Sequence, residues 1–138
     1  MESMQDNQTE HITYRIEQAK ESISEVEILI EKNLLTLAIN RIYYGMFYML
    51  LALALKKGFK TSKHNQLIGW FNKEFVKTGK INQKFGKIIN KGYEDRTDGD
   101  YGIFIQFEKV EVLSKLDDMK MFISELELLI NSENIQAI

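Results

Sequence analysis

Asn40-Arg41-Ile42-Tyr43-Tyr44-Gly45-Met46-Phe47-Tyr48 lies inside the most apolar stretch of the chain and marks its central element. From Ile42 to Leu55 no charged residue occurs, and the chain contains no proline to interrupt a helix. The run predicts a helix that is hydrophobic on every side because a fold surrounds it. Its 14 residues fall short of the roughly 20 that a spanning helix needs. Arg41 in such a setting needs a partner, since an unpaired buried charge is costly.

Working outward, the apolar spacing is helical nearly throughout. Ile12, Ile16, Ala19, Ile23, Val26 and Ile30 step by three or four, predicting a first helix over 9–30 with Thr9 as its cap. Asn33 breaks the pattern. The second helix spans 34–57 and is closed by Gly58. A loop over 59–64 leads to a third helix over 65–77, ended by Thr78-Gly79, and a fourth over 81–93. Asp95-Arg96-Thr97-Asp98-Gly99-Asp100-Tyr101-Gly102 reads as a break or tight junction. The last helix covers 103–130, leaving a frayed end. No strand period and no linker is visible. The expectation is one all-α domain over 1–138, an up-and-down bundle of four to five helices with an ordered core over about 9–130.

At 138 residues the chain is long enough to bury a core without staples. It has no cysteine, which excludes disulfides and thiol catalysis. The N-terminus has neither a basic start nor an apolar run, so a cytoplasmic protein with no membrane association is expected. The net charge of −2 conceals a segregation. Residues 56–91 hold ten lysines against Glu74 alone, while 1–55 carry a net −4 and 92–138 a net −7. Such a segment can attract a polyanion, or it can lie against the acidic helices or simply be solvated. Lys80, Lys84, Lys87 and Lys91 form one stripe on the fourth helix, either a solvated face or a track for a phosphate backbone.

Arg41, Tyr44 and Tyr48 share a helix face at i, i+3 and i+7. They read as a pocket where a guanidinium and phenols meet an anion, or as a structural network with Arg41 paired to Asp98 or Asp100. Tyr43, Phe47, Leu50, Leu51 and Ala54 form another face, read as core. His64, just before a helix, reads as a cap or anion contact at that helix start, or as an exposed loop residue. The acidic junction fails the calcium-loop pattern, since Gln106 stands where the closing Glu is needed. With His11 and His64 the only histidines and no cysteine, no zinc site is expected either. Gly79 and Gly86-Lys87 do not have P-loop spacing. No cofactor is implied.

Three elements together resemble the HEPN domain family: Asn40-Arg41-x-Tyr43-Tyr44 in a long apolar helix, His64 ahead of a helix bearing Phe71 and Phe75, and Arg96 followed closely by Asp100-Tyr101. The resemblance covers most of the chain and is closest to small stand-alone prokaryotic members. It implies a helical bundle, usually a homodimer, with a minimal nucleotidyltransferase as a frequent partner in toxin–antitoxin pairs. It also implies metal-independent ribonuclease activity in many relatives, where an arginine is followed after four to six residues by histidine. Here the matching position is Tyr101, and no histidine follows His64. Tyrosine titrates near 10 and is a poor base at neutral pH. The expectation is therefore a module binding nucleotide or RNA phosphate through Arg41, Tyr44, His64, Arg96 and Tyr101. The alternatives are a ribonuclease toxin using Arg96 and Tyr101, or a purely structural dimeric protein. Whether the chain is an enzyme stays open here.

Overall fold

The computed structural model describes residues 4–100 and 106–133. Five α-helices form, α1 (Met4–Glu31), α2 (Leu35–Lys57), α3 (His64–Phe71), α4 (Gln83–Asp100) and α5 (Lys109–Ser132), with a π-helical turn (Asn72–Val76) continuing α3. No strand occurs among the described residues. The all-α bundle expected from the apolar spacing is what forms.

α2 is the centre, packing against α1, α5, α4 and α3. It is long and apolar enough to cross a membrane by length and composition, more so than its uncharged run suggested. Two-thirds of its most apolar window is buried by the other helices, as befits a core helix.

α1 and α2 make a hairpin. Asn33 takes a left-handed conformation (φ 59°), and the amides of Asn33 and Leu34 donate to the carbonyls of Ile30 and Leu29. Gly58 ends α2 the same way (φ 74°), with its own amide on Leu55 and that of Phe59 on Ala54. Both are left-handed caps that satisfy the terminal carbonyls of a helix. Gln8 also donates from α1 to the Leu55 carbonyl.

Several expected boundaries move. α1 starts at Met4, so Thr9 lies inside the helix rather than capping it. α4 begins after Asn82, whose side chain accepts from the Lys84 amide as an N-cap. The helix then runs on to Asp100, so no break falls at Asp95. Isolated glycines and aspartates are tolerated there because Asp95 and Arg96 are anchored by tertiary contacts, which outweigh weak propensity. α5 starts at Lys109, after non-helical Gln106, Phe107 and Glu108. Tyr101 and Gly102 lie outside the described residues.

Gly45 sets the closeness of the centre. A Cβ there would sit 3.0 Å from Ser22 Cβ on α1 and still nearer the Met119 methyl on α5. Both neighbours are buried. Gly45→Ala should therefore lower stability by about 1–3 kcal/mol through overpacking, despite alanine's better helix propensity. Chemical denaturation measures it, and a variant as stable as wild type would mean that Met119 yields freely.

Candidate functional site

A cluster of tyrosines, one histidine and one arginine forms where α2, α3 and α4 meet. Tyr43 is at their centre and is fully buried. Its ring touches those of Tyr44, Phe47, His64 and Tyr93, with centroids 5.4–5.8 Å apart. Its hydroxyl shares a 2.7 Å hydrogen bond with His64 Nδ1. His64 opens α3 and lies flat on Phe47, the ring centroids 4.0 Å apart and only 7° from parallel.

Arg96 approaches from α4. One terminal nitrogen donates to the Tyr44 hydroxyl at 2.7 Å. The guanidinium carbon stands 5.2 Å from the Tyr44 ring centroid and 5.8 Å from that of Tyr43, within cation–π range. Gly92, one turn earlier, makes this approach possible. A Cβ at Gly92 would lie 2.8 Å from the Met46 methyl and 3.7 Å from the Tyr43 ring.

The electrostatics follow from burial. Burial pushes the Tyr43 phenol well above its ordinary value, and the nearby Arg96 only partly offsets this, so Tyr43 stays a neutral hydroxyl. Burial also lowers the His64 pKa below 6.5, and Arg96 lowers it further. The imidazole is therefore neutral at pH 7, between a phenol and a permanent cation. The cluster holds one positive charge, partly buried phenols at Tyr44, Tyr48 and Tyr93, and a neutral imidazole. An oxyanion is the ligand such a set accommodates.

The expected site residues divide. Tyr44, His64 and Arg96 come together. Arg41 does not join them: it faces α1, with Nε 3.0 Å and Nη2 2.7 Å from Glu25 Oε2. Its expected partners Asp98 or Asp100 are thus replaced by Glu25, and its side chain is a third exposed rather than buried. Positions three apart on a helix are still 60° apart around the axis, enough for Arg41 and Tyr44 to face different neighbours. His64 is neither an exposed loop residue nor a helix cap, because Tyr43 and Phe47 hold it. Tyr101 lies outside the described residues.

The lysine stripe is partly occupied by carboxylates. Lys80 is 3.3 Å from Glu133, and Lys91 is 3.3 Å from Asp95 and 3.8 Å from Glu94. Lys84 lies over the Phe85 ring, and Lys84 and Lys87 are exposed. Tyr43, Phe47 and Tyr93 are the residues that the sequence did not mark as part of the site. For Tyr43 and Phe47 the reading as core was sound, but a buried tyrosine needs a partner for its hydroxyl, and that demand was the available signal. The i, i+3 spacing of Tyr93 and Arg96 was another.

Because the folded His64 pKa lies below 6.5, its protonation opposes folding. The sign is that stability is full above 6.5 and declines as pH falls below it. Replacing His64 by Gln should remove that part of the acid sensitivity. Denaturation midpoints of wild type and His64→Gln between pH 7.5 and 5 test this, and parallel curves would show that His64 is not held neutral.

The sequence matches the model of the HEPN domain over residues 12–129. It is 40% identical over 119 residues to a UPF0332 protein of Thermotoga maritima, an alignment covering 86% of this chain and 90% of that protein. Two proteins of Methanocaldococcus jannaschii, each carrying the name "Putative toxin", are 33% and 35% identical. These alignments cover 87% and 86% of this chain, and 82% and 87% of the respective relatives. The family match takes in all five helices, including α2 with its tyrosines and α4 with Arg96, and the chain belongs to the HEPN domain family.

Proposed function

We propose that the protein binds a nucleotide or RNA phosphate at Arg96, as a homodimeric HEPN module acting beside a minimal nucleotidyltransferase in a toxin–antitoxin-type pair. The carrying observation is the guanidinium placed over Tyr43 and Tyr44 and hydrogen-bonded to the Tyr44 hydroxyl. The Tyr44 hydroxyl and the rings of Tyr43 and Tyr44 pre-orient the guanidinium, so little side-chain freedom remains to be lost on binding. The partly accessible tyrosine rings beside this cation suit a base stacked next to its phosphate. Lys84 and Lys87 add exposed positive charge on α4, the helix that carries Arg96. The names of the Methanocaldococcus relatives support the toxin–antitoxin setting.

A second reading, RNA cleavage, draws on those same names and on the neutral imidazole. His64 and Arg96 both contact the rings of Tyr43 and Tyr44. A histidine kept neutral at pH 7 is a competent proton acceptor, whereas a phenol at Tyr101 is not.

Titration with ATP and with a short single-stranded RNA at low salt tests both. Arg96→Ala should weaken binding roughly ten- to hundredfold, the loss of a charge-assisted hydrogen bond. Arg41→Ala should leave affinity within about twofold, because Glu25 already holds that side chain on another face. Equal affinity in Arg96→Ala would overturn the assignment. RNA cleavage that survives chelator but not Arg96→Ala would establish the second reading.

A further inference from the structure

Asp95, the neighbour of Arg96, is buried, one of two buried polar or charged side chains among the described residues. Its carboxylate meets two lysines. Lys91 of the same helix is 3.3 Å from Oδ1 and its side chain is more than half exposed. Lys115 comes from α5, is largely covered, and stands 2.7 Å from Oδ2. The Lys115 contact is one of charge rather than an aligned hydrogen bond. A carboxylate in this position is costly without a cation, so α4 must present Asp95 towards α5.

Adjacent helical residues point about 100° apart. With Asp95 turned to Lys115, Arg96 is turned to Tyr44. A roll of α4 that freed Asp95 would carry Arg96 off the tyrosines by the same angle. Beside Asp95 lies a cavity of about 40 Å³, with Ile39, Ile42 and Met46 of α2 on its apolar side and Lys91, Lys115 and Asp118 on its polar side. Buried Phe85 and Ile89 turn the first half of α4 to the core and Gly92 sets its distance from α2, while at the C-terminal end the Asp95 ion pair is the contact that fixes the roll.

We propose that Lys115 is a positioning residue: by holding Asp95 from α5, it sets the roll of α4 and hence the direction in which Arg96 meets its ligand. The functional consequence rests on the reading of Arg96 as the phosphate contact, while the geometric claim does not. Lys115 touches no ligand in this arrangement, and its effect passes entirely through Asp95.

Two readouts on the full chain separate the claims. The first is the ligand-free NMR titration of the His64 ring protons, with exposed His11 as internal reference. Arg96 depresses the His64 pKa, so losing Arg96 from its place raises the midpoint, as Arg96→Ala should. Lys115→Met should raise it too and weaken ATP binding roughly tenfold, while Lys115→Arg preserves both. Asp95→Asn decides between positioning and mere charge. Removing a negative charge alone lowers the His64 midpoint, whereas releasing Arg96 raises it. A raised midpoint in Asp95→Asn supports the proposal. A lowered or unchanged one overturns it, as does an unchanged midpoint in Lys115→Met. If wild type fails to bind ATP while Asp95→Asn raises the midpoint, the phosphate reading falls and the positioning role stands.

Discussion

The site depends on the burial of the Tyr43 hydroxyl at the meeting of three helices. A phenol sealed in an apolar core must find a hydrogen-bond partner, and His64 Nδ1 is that partner at 2.7 Å. This contact draws the start of α3 onto α2, where Phe47 stacks under the imidazole. The same ring gives Arg96 a face to rest on, and Gly92 removes the side chain that would keep α4 away. One residue thus ties together the histidine and the arginine from elements far apart in sequence. The resulting chemistry is asymmetric: a cation that cannot be neutralised stands beside an imidazole kept uncharged.

The segregation of charge along the chain is resolved in three dimensions by contact between the basic middle and the acidic end. Lys57 at the close of α2 and Lys80 before α4 both reach Glu133 just past α5, at 3.4 and 3.3 Å. Burial alone would push the Glu133 carboxyl up, yet hydrogen bonds from the two lysines hold it below the usual range. Lys91 of the basic middle likewise reaches Asp95, where Lys115 of α5 joins it. Most of these pairs are partly exposed and add little stability individually. What they fix is the placement of α4 and α5 against α2, which matters where Arg96 must meet Tyr44.

How much of this was legible in the sequence depends on whether a local pattern or a tertiary contact decides the outcome. The helices followed from apolar residues recurring every three or four positions and the end of α2 from Gly58, whereas Asn33 was legible only as a break in the pattern. The run from Asp95 to Asp100 did not follow, because its residues favour a turn locally while a buried Asp95 and a packed Arg96 hold it helical. Arg41 and Arg96 looked equivalent as arginines near tyrosines. Only the packing of α1 on α2 brings Glu25 to Arg41 and leaves the phenols to Arg96. His64 stood out by its place just before a helix, but its partner 21 residues away was invisible to spacing along one helix.

If Arg96 and His64 form one electrostatic unit that receives a phosphate, ligand bound at the arginine must be felt at the imidazole. The measurement is the pH titration of the His64 ring signals by NMR over pH 5–8, with and without saturating ATP. A phosphate settled on Arg96 offsets the field that disfavours imidazolium, so the His64 midpoint should rise on binding. A His64 titration indifferent to bound ATP would place the ligand elsewhere and contradict it.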